Sequence, residues 1–557
     1  MAVARPAEPS SALFSAAARA TPHRRSLAGP DSALPTEYVT NLPPYIGPAD
    51  GPSSRLIGRS DSPLPGREEL QRQTLRSTEG NRPLRVVDLI LPLGIGAVLR
   101  LAIVVAFIGT LGRGDEAAYL RLGWGWSEFG TYTGMWAPLY PKLISFVSGL
   151  FPDYVADVMR ILQVGMAVWT GVWVALIADM FGGRRAGMIA AWMFAFYLPL
   201  ASFAALIYSE SLFLSFFIPA LYQLLRYARE GRIAAPPWRG PLAGVLLGLS
   251  ALTRESTLLF IFPCMLWVAF ALRGHRTEKR VGNARFLAWA HGSGPLGIAP
   301  ALLFGLTALL TVLPWTIRNA HVYDRFVPIA TSSQGSAAVG WNSFDINYDI
   351  ADLGDNLLDA PGTLRDKIRG PQPPHWLPRK VTNMADAPRV NVADGLGFAM
   401  NYPVFFARTR IVEFVDLMSP MSFIHRSLRI TEGIGEPLDS PWLRRIFAVL
   451  AVLMMPMVVL LGLWGWGHSR DSGPLRSLVT TLVLCTSAVA FVSGMTRYRV
   501  PVMPMLIVLG AIYLAGHRER PPLRRKVMIS TLAVGIILAW IPSIGPTRLA
   551  LSAIWGS

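Results

Sequence analysis

Residues 86–112 read VVDLILPLGIGAVLRLAIVVAFIGTLG, and residues 113–126, which follow at once, read RGDEAAYLRLGWGW. An α-helix rises about 1.5 Å per residue, so roughly 20 apolar residues cross the ~30 Å of bilayer hydrocarbon. The first stretch is long enough for that. Asp115 and Glu116 then stand just past the end of a membrane helix, and their meaning depends on the chain around them.

Of the 557 residues, 52% are hydrophobic and 16% charged, too apolar a balance for a string of soluble domains. Segments of about 17 to 25 apolar residues recur, which predicts an all-α polytopic membrane protein of about eleven spans, within a range of about 11 to 13. The spans start near Val87, Val155, Ala186, Ser209, Gly240, Ser256, Leu296, Arg445, Arg476, Arg499 and Arg525. Residues 1–85 are rich in Pro, Ser, Ala and Arg and read as a disordered cytoplasmic tail, with the composition of a transit segment as the alternative. The expected order is that tail, an N-terminal transmembrane module over 86–316, an external loop or small domain over 317–440, and C-terminal transmembrane helices over 441–557.

The formal net charge of +17 could suggest a nucleic-acid partner, but the basic residues sit in short loops between apolar runs. With the tail inside, Arg184, Arg185 and the basic residues of 226–239, 273–285, 470–476 and 518–526 share one side, eighteen in all. The short loops and span ends on the other side hold only Arg113, Arg121, Lys142, Arg254, Arg497 and Arg499. Positive charge gathers on the cytoplasmic side, so the bias reports topology and places the Asp-Glu loop outside. Cys264 and Cys485 lie inside apolar runs and read as small apolar residues, with no disulfide or thiolate metal site expected. There is no P-loop, Rossmann fingerprint, HExxH or C-x2-C, so no cofactor or metal is expected.

Residues 136–151, WAPLYPKLISFVSGLF, are apolar but too short to cross, which suits an interfacial or re-entrant helix on the outer surface. Trp124, Trp126 and Trp136 fit a membrane-interface belt, with a sugar platform as the alternative. Asp115 and Glu116 have two readings: solvated acids at the head of a helix, or a partly desolvated base for an incoming hydroxyl. Arg100 and Arg160 fall within spans and need partners, Asp157 or a bound anion in the case of Arg160. Glu210, Arg254, Arg318, Arg497 and Arg499 lie near outer span ends, where arginine forks suit a phosphate and also suit headgroup anchoring.

Nine segments in order resemble the GT-C class of membrane glycosyltransferases, in the branch of bacterial dolichyl-phosphate-mannose protein mannosyltransferase homologues and lipid A aminoarabinose transferases. They are GDEAAYL (114–120), APLYPKLISFVSGLF (137–151), RILQ (160–163), FGGRRAGMIAAWMFAFYLP (181–199), YSESLFLSFF (208–217), LAGVLLGLSALTRESTLLF (242–260), PWTIRNAHVYDRFVPIATSS (314–333), MNYPVFFARTRIVEFVDLMSP (400–420) and TRYRVPVMPML (496–506). Trp136, Ala137 and Glu255 depart from that branch's pattern, as does TSSQGSAAVGWNS over 331–343.

The resemblance implies a GT-C-like bundle that transfers a sugar, with inversion, from a polyprenyl-phosphate donor to a lipid, glycan or protein hydroxyl on the outer face. It implies Asp115 as general base, with Glu116 and Glu210 orienting acceptor or base. Arg254, Arg318, Arg497 and Arg499 would hold the departing phosphate, and Arg100, Tyr119, Tyr140, Lys142 and Arg160 would frame the cavity. A transporter of lipid-linked sugars and a non-catalytic scaffold are the alternatives; the chain shows no internal repeat of the kind many transporters carry.

Overall fold

The computed structural model describes residues 83–108, 115–234 apart from 131, 133 and 135, 236–272, 297–331, 387–421, 440–544 apart from 471 and 493, and the single positions 367, 547, 548 and 551. The expected N-terminal tail and most of the expected external segment lie outside these residues. Helices are the only extended elements among the described residues, beside one isolated bridge between Ser469 and Arg518. The chain is an all-α integral membrane protein.

The helices are α1 (Val86–Val105), α2 (Asp115–Phe129), α3 (Leu139–Leu150), α4 (Val155–Phe196), α5 (Glu210–Ala234), α6 (Arg239–Thr253), α7 (Leu258–Ala271) and α8 (Ile298–Tyr323). They continue with α9 (Ala387–Asn401), α10 (Pro403–Met418), α11 (Pro441–His468), α12 (Gly473–Ala490), α13 (Met503–Leu514) and α14 (Leu523–Trp540). A helix begins at or within a few residues of most of the expected span starts. The starts near Val155 and Ala186 share α4, which doubles back at Gly183 (φ 66°), a left-handed conformation that glycine adopts without a Cβ penalty. The fold-back brings Phe194 beside Gly171 and Ala175 beside Gly187.

Among the described residues, seven helices are long and apolar enough to cross a membrane, with α4 counted once. The others at expected span starts, α6, α7 and α13, have 15, 14 and 12 residues. At 1.5 Å per residue they reach only about 18 to 23 Å. Irregular backbone adjoins them: Arg254 and the 3-10 turn Glu255–Thr257 between α6 and α7, and the 3-10 turn Thr496–Arg499 before α13. The sequence stops these helices where Thr-Arg-Glu-Ser interrupts the apolar run and where Pro501 and Pro504 flank Val502.

Close packing follows the small residues. Gly244 and Gly248 lie one helical turn apart on α6, and a Cβ at Gly248 would stand 2.7 Å from the Ala308 carbonyl of α8. A Cβ at Gly465 of α11 would stand 2.2 Å from the Leu509 carbonyl of α13. Hydrocarbon tails are as apolar as leucine, so contacts of this kind, rather than hydrophobic exclusion, hold membrane helices together. Gly248→Leu is therefore expected to destabilise the α6–α8 contact by about 1–3 kcal/mol, read as a lower thermal midpoint in detergent. Gly94→Ala, where a Cβ meets nothing within 4 Å, should leave that midpoint unchanged or slightly raised.

Candidate active site

The site is built on the segment between α4 and α5, which from Tyr197 to Glu210 holds only a four-residue helical turn (Leu198–Ala201) and a 3-10 turn (Ser202–Ala204). Buried backbone outside a long helix needs partners for its polar groups. Side chains from three helices supply them. Gln163 Nε2 donates to the carbonyls of Ala204 (3.1 Å) and Leu206 (2.9 Å), and Arg160 Nε donates to that of Ala205 (2.9 Å). The Ile207 N–H donates to Glu116 Oε1 at 2.7 Å. At the end of α4, Arg100 donates to the carbonyls of Phe194 and Ala195 at 3.0 and 3.1 Å.

This fastening delivers Tyr208, Ser209 and Glu210 to the face carried by α2. Asp115 opens α2, and its Oδ2 accepts from Arg497 Nη1 at 2.6 Å. Glu210, fully buried at the head of α5, accepts from Arg254 Nη1 through Oε1, while its Oε2 is buried without a partner among the described residues. Both guanidiniums face the ring of Tyr498, Arg254 at 5.8 Å and Arg497 at 5.7 Å from its centroid. Arg497 also lies 5.9 Å from the Tyr208 ring. Two carboxylates and two guanidiniums from four separated places in the sequence thus surround a small aromatic group.

The electrostatics keep both arginines charged. Burial alone would lower the Arg497 guanidinium's proton affinity, but Asp115, with Tyr498, Glu210 and Tyr208, outweighs burial and holds it well above the ordinary arginine value. For Arg254 the same opposition of burial and Glu210 ends in a raised value. Tyr119, four residues past Asp115 and so on the same face of α2, is pushed up by burial and then by the charge of Glu210. It stays a neutral phenol and donates to Ser209 Oγ at 3.2 Å.

Tyr119 is walled by Trp136 and Tyr140, with ring centroids at 4.3 and 5.0 Å, and Tyr140 donates to Gln163 Oε1 at 2.8 Å. Beside Arg497 and Arg499 lies a small, partly open recess walled by Tyr197, Pro199, Leu200, Phe203, Thr496, Val500 and Met503. The Tyr197 hydroxyl is buried without a hydrogen-bond partner among the described residues.

Of the residues singled out in the sequence, Asp115, Glu210, Arg254, Arg497, Tyr119 and Tyr140 come together here. The others go elsewhere. Arg160 pairs with Asp157 at 2.8 Å, the carboxylate expected for it, and Arg100 spends its Nη donors on carbonyls. Arg318 donates to the Tyr132 carbonyl at 2.7 Å and lies 4.7 Å from the Trp315 ring. Arg499 donates to the carbonyls of Leu417, Ser419 and Met421. Lys142 stands 4.6 Å over the Trp126 ring, whose neighbour is Tyr132.

Gln163, Ser209, Tyr208 and Tyr498 belong to the site and escaped sequence reasoning. For Gln163 a signal existed: an uncharged amide three residues after Arg160 shares its helix face. Among the described residues no group of three or more His, Cys, Asp or Glu is placed to hold a metal ion.

The family model described as dolichyl-phosphate-mannose-protein mannosyltransferase matches residues 136–294. The match bears out the resemblance over that stretch; it contains Glu210 and Arg254 and leaves Asp115 and Arg497 outside. No curated protein sequence matches the chain. Similar solved structures include the archaeal oligosaccharyltransferase AglB from Archaeoglobus fulgidus in complex with an inhibitory peptide and a dolichol-phosphate. It is 16% identical over 83% of this chain and 56% of that one, with a TM-score of 0.43. The apo form of the Archaeoglobus fulgidus oligosaccharyltransferase is 15% identical over 84% and 56%, also with a TM-score of 0.43. The chain therefore spans little more than half the length of these structures.

The bond from Ile207 gives Glu116 a part that a mutation pair separates. Glu116→Ala leaves a buried N–H without its acceptor and is expected to destabilise the fold by about 1–3 kcal/mol. Glu116→Gln, whose amide oxygen still accepts, should stay within about 1 kcal/mol of the parent. Thermal midpoints in nanodiscs compare the two, and an Ala variant as stable as the parent removes this role.

Proposed function

We propose that the chain is an inverting glycosyltransferase that moves a sugar from a polyprenyl-phosphate donor to a hydroxyl of a lipid, glycan or protein on the outer face of a bacterial plasma membrane. The observation that carries this reading is the family match over 136–294, which covers half of the charged cluster. The other half, Asp115 and Arg497, meets it in space through Tyr498 and Tyr208.

In the proposed step the acceptor oxygen attacks the anomeric carbon, the bond from that carbon to the phosphate oxygen breaks, and the hydroxyl proton passes to Asp115. Asp115 is the candidate base because it stands one-third exposed at the head of α2, open to an incoming hydroxyl. Arg254 and Arg497 are the candidates for the departing phosphate, where preorganised cations act on developing charge. Arg318 and Arg499 drop out of that role because their guanidiniums serve backbone carbonyls. Glu210 orients Arg254.

The external segment 317–440 is proposed to cover the acceptor. In nanodiscs with labelled polyprenyl-phosphate sugars and a panel of hydroxyl acceptors, Asp115→Asn is expected to reduce transfer by about 10²–10⁴-fold with the thermal midpoint unchanged. Full transfer by this variant overturns the assignment of the base. Movement of intact donor between leaflets without a new glycosidic bond replaces the enzyme with a transporter.

A further inference from the structure

The turn that carries Arg497 is held from outside. Its own backbone bonds are few and local, such as Tyr498 N–H to the Met495 carbonyl at 3.0 Å and Val500 N–H to the Arg497 carbonyl at 3.2 Å, and no side chain caps it. What holds it is α10. Arg410 donates to the carbonyls of Phe491 and Val492, and the Gly494 N–H donates to Glu413 Oε2 at 2.5 Å. From the turn side, Arg499 donates to the carbonyls of Leu417 and Ser419, acceptors that the end of α10 leaves without helical partners, and to that of Met421 just beyond.

Two features show that this grip is built for close tolerance. A Cβ at Gly494 would lie 1.8 Å from the Glu413 carbonyl oxygen and 2.7 Å from its Cα, so turn and helix touch backbone to backbone. Three carbonyls at positions 417, 419 and 421 are served by one side chain, which the planar fork of arginine does and the single ammonium of lysine does not. The cation also sits at the negative end of the α10 dipole. Arg499 is 6% exposed and Thr496–Arg499 is one short turn, so anchoring Arg499 fixes how far Arg497, two residues earlier, extends toward Asp115.

We infer that Arg410, Glu413, Gly494 and Arg499 form a clamp whose task is to position Arg497 against Asp115, so that Arg499 and Arg410 are positioning residues for the base rather than phosphate ligands. The inference rests on the proposed reading of Asp115 as the base. It assigns to α10, which lies within the external segment, control over the charge partner of that base.

The test uses Arg499→Lys, Arg410→Lys and Gly494→Ala in the full chain in nanodiscs, with two readouts. The first is sugar transfer: kcat is expected to fall by at least about tenfold, as small misplacements of catalytic groups do, with the acceptor KM within about twofold. The second is labelling of Asp115 by a carbodiimide and a glycine ester, quantified by peptide mass. Loss of the Arg497 contact should raise it at least about twofold in each variant. Arg497→Gln should raise it as far alone, and Arg499→Lys added to Arg497→Gln should raise it no further, since a residue acting through another gives a non-additive cycle.

Wild-type kcat in Arg499→Lys, unchanged labelling in that variant, or increases that add in the double variant overturn the clamp. If the parent protein transfers no sugar from any donor, the glycosyltransferase reading fails, and the labelling still decides on the clamp. If Gly494→Ala does not fold, Arg499→Lys carries the decision.

Discussion

The structure depends on satisfying the backbone between α4 and α5. Between Tyr197 and Glu210 the chain forms only a four-residue helical turn (Leu198–Ala201) and a 3-10 turn (Ser202–Ala204), which leaves buried carbonyls and N–H groups without helical partners, each unpaired group costing about 1–3 kcal/mol. Gln163, Arg160 and Glu116 answer this with bonds to four consecutive residues, 204 to 207, and Arg100 does the same for the last turn of α4. Because these bonds come from α1, α2 and α4, they also fix the three elements relative to one another. Glu210 reaches its place at the head of α5 as a consequence.

This accounts for why polar residues that look alike in the sequence separate into two groups. Arg100, Arg160 and Glu116 bond backbone, and a replacement there changes the scaffold. Asp115 bonds Arg497 and Glu210 bonds Arg254, side chain to side chain, and both pairs meet at the ring of Tyr498. Intramembrane and juxtamembrane charge is often a sign of function; here the partner distinguishes the two uses, since a carbonyl is a fixed acceptor and a side-chain ion is an exchangeable one.

Much of the helical architecture was legible because membrane length is a strong signal in one dimension. A helix begins at or within a few residues of most of the expected starts, and the short α6 was readable as a span that ends early at Arg254. The expected partnership of Arg160 with Asp157 was readable from their three-residue spacing. The pairing of Asp115 with Arg497 was not, because 382 residues separate them and no periodicity links the two. Arg318 and Arg499 were misplaced for a related reason: position near a span end says that an arginine is at the surface of the bundle, and nothing about which way the guanidinium points. Gly494 carried no signal at all, since only the approach of the Glu413 backbone makes its missing Cβ matter.

Charge balance adds a constraint on how such a site works. Asp115 with Arg497 and Glu210 with Arg254 make two neutral pairs, so the cluster presents two cations that are both already engaged. A phosphate entering this space has to draw on one of them. Arg254 is held by a fully buried carboxylate, for which separation leaves an uncompensated buried charge, whereas Asp115 is one-third exposed and water supports it when its partner turns away. Arg497 is therefore the cation that a donor phosphate recruits more readily. On the proposed reading, donor binding and release of the base are then one event: Asp115 loses its partner when the leaving group has arrived, and an acceptor hydroxyl meets a free carboxylate only in the presence of a sugar to attack.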